Sequence, residues 1–355
     1  MRRASWFFAI LAVLLFLPAG QASLEDQPPP GETAAELASL AAVGDLNFAG
    51  GLGRLILSEG PDYPWRATAD LLAATDILLG NLEVPLSLRG KVYTPKKWTL
   101  HADPRTVAAL VSGGFDVVSL ANNHAMDFGP AALAETIALL DEHGIGHAGA
   151  GADLAAARAP CFIARNGLNV AFLSYSLTFP TEFYAGKNRP GTAPGYENYL
   201  RADIPAARSR ADLVVVSFHW SGEMYNYPKD YQRRLGRLAI DLGAGLVVGH
   251  HPHVLQGLEV YKGGLIAYSL GNFAFGSLSA KCRDSIILTV GFDRAGLDTA
   301  WLHPVNVNNY EVAFQTRPRK GADAARVIAD LRRFSAAFGT EIASDGDRGV
   351  IQIRR

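Results

Sequence analysis

Past residue 40 the chain repeats one device: a short, continuously apolar run, a cluster of polar residues, then a helical pattern. Leu40–Val43, Asp76–Leu79, Phe115–Leu120, Leu213–Phe218 and Leu246–Val248 read as strands. Trp65–Ala74, Pro104–Ser112, Pro130–Glu142 and Lys229–Leu242 read as helices. Pro104 and Pro130 stand in a first helical turn, where a missing N–H loses no bond. Strands that are apolar throughout and separated by helices imply a mainly parallel sheet covered on both faces. Asn166-Gly167 between two β-rich runs marks a hairpin. After Gly257 the pattern changes to strands alone: Leu258–Tyr261, Leu265–Tyr268, Ser285–Phe292, Thr299–Asn306 and Glu311–Thr316, with Gly263-Gly264 as a tight turn. A helix over Asp323–Phe338 and a short strand close the chain.

The polar clusters fall at the carboxyl ends of the strands. They are Gly44-Asp45-Leu46-Asn47, Gly80-Asn81-Leu82-Glu83, Ala121-Asn122-Asn123-His124 with Asp127, His219-Trp220, and Gly249-His250-His251-Pro252-His253. Carboxyl ends of parallel strands share one edge, and open α/β sheets bind ligands there. Of the 9 histidines, those at 124, 219, 250, 251 and 253 all lie in these loops. Carboxylate, amide oxygen and imidazole suit a borderline or hard divalent ion such as Mn, Zn or Fe. His251 and His253 alternate about Pro252, which as an extended segment would aim them at two neighbouring ions. Two close ions can generate a hydroxide and clamp both oxygens of a phosphoryl displacement. Singly, Asp45 could be a helix cap and Asn122-Asn123 turn residues. The joint arrangement favours a metal site.

The N-terminus reads as an export signal. Arg2 and Arg3 precede an unbroken apolar run, Trp6 to Leu17, and Gly20-Gln21-Ala22 supplies a small-x-small cleavage pattern. As a helix that run spans about 18 Å, against roughly 30 Å of hydrocarbon, so residues 1–22 read as a signal peptide, with retention as an anchor the alternative. Residues 23–39, with Pro28-Pro29-Pro30, read as a linker, 40–292 as the main domain, and 293–355 as strands and a helix completing it. The expected location is exported, periplasmic or extracellular. Lys plus Arg is 33 and Asp plus Glu is 34, a formal charge of -1, which offers nucleic acid no electrostatic footprint. The cysteines, Cys161 and Cys282, are too few for a Cys-based zinc site; they could pair outside the cytoplasm or stay free. Gly144 to Gly149 spells GxGxxG, but it follows a helix and precedes a strand, the reverse of a dinucleotide fold. Residues 175–200 form an aromatic loop, with packing the default role and a substrate-facing lid the alternative.

The order GD…NLE…ANNHxxDxG…HW…HxPH…YSLGNFxF resembles the bacterial capsule-synthesis CapA family and its poly-γ-glutamate synthesis relatives. The resemblance covers about residues 40 to 292, and SLANNHAMDFG and GHHPHVLQGLEVYKGGLIAYSLGNF are its most specific runs. That family resembles the calcineurin-like metallophosphoesterases, which implies a four-layer α/β/β/α sandwich. Carried over residue by residue, the resemblance implies Asp45 and His253 at one ion, Asn123, His219 and His251 at a second, and Glu83 between them. It implies His124 as a substrate-facing, non-ligand histidine oriented by Asp127. Asn47, Asn81, Asn122, Trp220, Glu223, His250 and Asn272 would support the ligands or line the same edge. Asp45-Leu46-Asn47 stands where the superfamily has Asp-x-His, and Gly80-Asn81 where it has Gly-Asp, so the first position has fewer strong ligands and holds its ion weakly.

The resemblance implies a role in making, exporting or attaching an anionic envelope polymer such as capsule or poly-γ-glutamate, with membrane-bound synthase components as partners. A periplasmic metallophosphoesterase acting on phosphate esters and a non-catalytic metal- or polymer-binding accessory protein are the alternatives. The site would take one or two divalent ions.

Overall fold

The computed structural model describes residues 37–276 and 278–354. The expected signal peptide and most of the expected linker lie outside the described residues. Among these residues the strands, in chain order, are β1 (Ala38–Leu46), β2 (Ile77–Leu82), β3 (Val117–Ser119), β4 (Gly146–Ala148), β5 (Ala150–Gly151), β6 (Cys161–Arg165), β7 (Leu168–Ser176), β8 (Gly191–Thr192) and β9 (Leu213–His219). They continue as β10 (Leu246–His250), β11 (Leu258–Tyr261), β12 (Gly264–Ala267), β13 (Asn272–Ala274), β14 (Asp284–Asp293), β15 (Gly296–Asn306), β16 (Arg317–Pro318), β17 (Ala343–Asp345) and β18 (Arg348–Gln352). The helices are α1 (Gly50–Glu59), α2 (Ala69–Ala73), α3 (Val107–Gly113), α4 (Gly129–Glu142), α5 (Leu154–Arg158), α6 (Glu197–Arg208), α7 (Asp230–Asp241), α8 (Asn309–Val312) and α9 (Gly321–Ser335).

The apolar runs divide between two sheets where the sequence pattern suggested one. The first, of 10 strands, runs β17-β18-β15-β14-β1-β2-β3-β4, with β13 also on β1 and β16 on β15. The second, of 6 strands, runs β11-β12-β10-β9-β7-β6. Side chains alternate across each strand. Ala38, Leu40 and Ala42 of β1 share a core with Leu213 and Val215 of β9, so the sheets pack face to face. Ala41 and Val43 turn outward onto α1 to α4 through Leu52, Leu72, Leu110 and Leu133. Val214, Val216 and Phe218 turn the other way, onto Leu200 and Ile204 of α6 and Leu235 of α7. Helices, sheet, sheet, helices is the four-layer α/β/β/α order that the resemblance implies. Ser119 of β3 and Ser174 of β7 bond hydroxyl to hydroxyl across the layers at 2.5 Å.

Some local expectations needed correction. Glu311–Thr316 is not a strand. Asn308 accepts from the Tyr310 amide and opens the short helix α8, and Ala313 ends it in a left-handed conformation. Helix α6 escapes the sequence pattern because Pro205 interrupts it, yet Leu200, Ile204 and Ala207 bury its inner face. It takes over the end of the expected aromatic loop. Within that loop Tyr175 and Phe183 are buried, whereas Phe179 is exposed. Cys161 and Cys282 are both free thiols. No helix of the described residues is long and apolar enough to cross a membrane.

Candidate metal centre

The carboxyl ends of β1 and β2 in one sheet, and of β9 and β10 in the other, meet at the same end of the sandwich. Asp45 closes β1. Gly44, just before it, has room for no side chain: a Cβ there would stand 2.0 Å from the Gly271 carbonyl oxygen. That backbone approach pairs Asp45 with Asn272 of β13, and the Asp45 amide donates to Gly271 O at 3.0 Å. The separated GD and GN motifs are therefore one structural element.

Asp45 is fully buried and accepts from several sides. Asn81 Nδ2 donates to its Oδ1 at 2.8 Å, and His250 Nδ1 stands 3.2 Å from the same oxygen. His253 Nδ1 lies 3.1 Å from its Oδ2, which also accepts from the His251 amide at 3.3 Å. His253 Nδ1 is in turn 2.9 Å from Asn272 Oδ1. His219 Nε2 lies 2.8 Å from Asn123 Oδ1 and 3.4 Å from Glu83 Oε1. The rings of His251 and His219 are 4.7 Å apart, and those of His251 and His253 5.7 Å. Asp45, Glu83, Asn123, His219, His251 and His253 thus form one continuous cluster.

Two sets of donor atoms lie within 4.8 Å of one another: Glu83 with His251 and His253, and Asp45 with Glu83 and His219. Glu83 is common to both. The histidine loop is not extended as the sequence suggested. His251 and His253 have φ of 88° and 58°, a left-handed backbone that non-glycine residues adopt at a cost of about 1–3 kcal/mol each. The twist gathers both rings beside Glu83 instead of spreading them.

His124 donates from Nδ1 to Asp127 Oδ2 at 2.7 Å. Lys96 Nζ is 3.1 Å from the same nitrogen, but its ammonium has acceptors of its own in Asp127 Oδ1, at 2.6 Å, and the Asn123 carbonyl. The His124 proton is therefore assigned to Nδ1, leaving Nε2 free, 4.0 Å from Glu83 Oε1.

Other expected residues play different parts. Asn122 holds the turn: its Oδ1 accepts from the amides of His124 and Ala125, and its Nδ2 donates to Leu82 O. Asn81 also accepts from Asn122 Nδ2 and approaches His219 Nδ1 at 3.2 Å. Asn47 Oδ1 is taken up locally by the Ala49 amide at 2.9 Å. Glu223 is exposed, with Oε1 3.7 Å from His251 Nε2. Trp220 belongs to the outer core. Its indole stacks on Phe218 and donates to Tyr268 O at 2.9 Å, so it lines no part of the cluster. Strand alternation explains this, because Trp220 follows His219 and turns to the opposite face.

Residues 39–277 match the family model described as bacterial capsule synthesis protein PGA_cap. The chain belongs to this family. The capsule biosynthesis protein CapA of Bacillus anthracis is 32% identical over 305 residues, 84% of this chain and 74% of that protein. The PGA biosynthesis protein CapA of Bacillus subtilis is 32% identical over 306 residues, 85% of this chain and 80% of that one. Among solved structures, the NAD nucleotidase of Haemophilus influenzae aligns with a TM-score of 0.47 at 12% identity, over 84% of this chain and 56% of that chain. The PGA_cap chain thus spans little more than half of that nucleotidase.

The donor set of this PGA_cap member fits a divalent cation. Both Glu83 oxygens, His251 Nδ1 and His250 Nε2 are buried without a hydrogen-bond partner among the described residues. Such groups are rare in folded interiors and call for an explanation. Burial, reinforced by the neighbouring Asp45 charge, pushes the Glu83 carboxyl well above its ordinary range. Burial and the neighbouring histidines hold His251 down at about 3 and His219 well below its usual value, so both are neutral imidazoles, the ligating form. Burial opposes protonation of His253, but Glu83 and Asp45 outweigh it and lift it to about 10. Burial would raise Asp45, but its contacts with His250 and His253 keep it well below the usual carboxylate range.

Lys96 was missed at the level of sequence. Its signal was available, since Val84 to Ala102 contains no acidic residue but holds Arg89, Lys91, Lys96 and Lys97.

Proposed function

We propose that this chain is an exported PGA_cap protein whose divalent-metal centre acts in making, exporting or attaching an anionic envelope polymer, capsule or poly-γ-glutamate. Export is supported by the basic, then apolar, then small-x-small order of residues 2–22. The polymer is supported by family membership. The metal reading is carried by one observation: two fully buried carboxylates, Asp45 and Glu83, lie among the rings of His219, His251 and His253, and Glu83 has no hydrogen-bond donor of its own. Buried charge without partners costs several kcal/mol, and a cation removes that penalty.

Glu83, His251 and His253 would hold one ion, and Asp45, Glu83 and His219 a second, with Asn123 beside His219. A bound ion supplies Lewis-acid activation of an oxygen anion, whether phosphate or carboxylate. The protein's own residues do the rest. Asp127 holds the His124 ring and its Nδ1 proton, which leaves Nε2 facing Glu83 as a proton acceptor. Burial lowers the His124 pKa, although Asp127 opposes this, and so keeps that nitrogen free. Asn272 and Asn81 steady His253 and Asp45.

The test is purification of residues 23–355 and of the full chain, elemental analysis for Mn, Zn and Fe, and assays on phosphate esters and on poly-γ-glutamate. Expected are one or two equivalents of metal in the wild type and loss of metal in His251→Ala. Bound metal with hydrolysis of phosphate esters alone would move the reading to a phosphoesterase. Wild-type protein that never takes up metal would end it.

A further inference from the structure

We propose that residues 88–98 form a cationic rim beside the metal centre that receives an acidic polymer chain, with Lys91, Lys97 and Trp98 as its contacts. This inference rests on the polymer reading above and names the surface that would carry it. In a chain of formal charge -1, residues 84–102 hold Arg89, Lys91, Lys96 and Lys97 and no acid. The stretch has no helix and only an isolated bridge, Leu86 to Ala102. Arg89 is compensated by Glu135 at 3.5 Å, and Lys96 is half-buried and paired with Asp127. Lys91 and Lys97 are exposed and have no acidic partner among the described residues. Lys97 lies over the ring of Trp98, 5.5 Å from its centre, and Trp98 is 68% exposed, which leaves an indole face open beside the ammonium. Tyr93 is partly exposed next to them.

The segment is nevertheless held in place. The Tyr93 amide donates to Asp127 O at 2.9 Å and the Leu100 amide to Asp127 Oδ2 at 2.6 Å. His101 stacks on Phe128 at 4.6 Å, and Gly90, at φ of 85°, lies so close to the Phe128 carbonyl that a Cβ would stand 2.0 Å from its oxygen. Lys96 reaches inward to Asn123 O, Asp127 and His124, with the Phe183 ring 5.3 Å from its ammonium. Asp127 therefore does two things: it orients His124 and it fastens the rim to the metal site. A segment pinned there places free ammonium groups and an exposed indole next to the centre. Spaced cations on an ordered backbone suit an extended chain of carboxylates. A membrane is the weaker fit, because the segment forms no amphipathic helix to lie in an interface.

The test uses the full chain and the exposed double variant Lys91→Ala/Lys97→Ala, with Trp98→Ala as a second variant. Binding is measured to poly-γ-glutamate of defined length, to monomeric glutamate and to phosphatidylglycerol vesicles, with metal content determined on each sample. Expected are about tenfold weaker polymer binding in the double variant at low salt, a gap that closes as salt screens the charges, and unchanged metal content. Equal polymer binding by wild type and both variants overturns the rim. So does vesicle binding by the wild type, lost in the variants, without polymer binding. Metal-free wild type that still binds polymer through Lys91 and Lys97 would sink the metal reading alone.

Discussion

Glu83→Gln gives the sharpest test of the metal centre, because its effect should change sign with the metal. Glu83 is fully buried, and neither carboxylate oxygen meets a hydrogen-bond donor among the described residues. A buried unsatisfied group costs about 1–3 kcal/mol, more if charged. In chelator, the near-isosteric amide removes the charge, so the variant should be the more stable protein by about 1–3 kcal/mol. That is roughly 2 °C in Tm per kcal/mol for a chain of this size. The pH dependence has a definite sign. Burial raises the folded Glu83 carboxyl above its ordinary 4.5, so protonation favours the folded state. The Glu83 contribution is then fully present below that value and is lost as pH rises toward the folded pKa. The advantage of Gln in chelator should therefore widen between pH 5 and pH 8. With metal at about a thousand times its Kd, linkage adds about 4.1 kcal/mol to the wild type and little to the variant, and the order inverts. Thermal unfolding in chelator and in metal, at both pH values, reads all of this. A variant less stable than wild type by the same amount in both conditions would refute the reasoning, since Glu83 would then be an ordinary packed side chain.

Three further outcomes follow from the geometry. Asp45→Asn strips the charge that His253 and His250 face; unfolding should cost about 3–5 kcal/mol less in chelator, and elemental analysis should find metal lost. Gly44→Ala drives a methyl into the Gly271 carbonyl and should destabilise by about 3 kcal/mol in urea unfolding, and a loss under about 1 kcal/mol would contradict the close approach. Ser174→Ala leaves the Ser119 hydroxyl buried and unpaired, at about 1–3 kcal/mol, whereas Ser119→Ala/Ser174→Ala should cost no more than the single change; simple additivity would argue against that bond between the layers.

Much of this protein is legible without coordinates. The apolar runs at Leu40, Asp76, Leu213 and Leu246 become β1, β2, β9 and β10 with their ends moved by a few residues. Asn166-Gly167 turns β6 into β7. These are local facts: continuous apolarity and turn chemistry act over a few residues, and a few residues are what a sequence displays. What was misread lacked such a signal or carried a misleading one. Pro205 hid α6, and the β-branched and aromatic residues around Glu311 suggested a strand where an Asn308 cap makes a helix.

The candidate site divides the same way. Residue chemistry determined that Asp45, Glu83, His219, His251 and His253 are nitrogen and oxygen donors at strand ends, and strand polarity put those ends on an edge. Only the tertiary structure decided which sheet supplies each of them, β1 and β2 belonging to one and β9 and β10 to the other, because which sheet a buried apolar strand joins depends on partners far away in sequence. It alone decided that Trp220 turns to the core, that left-handed backbone at His251 and His253 gathers both rings beside Glu83, and that Lys96 fastens a cationic segment to Asp127. Each depends on packing between distant segments, where apolar burial and charge pairing select one arrangement from the several that local preference leaves open.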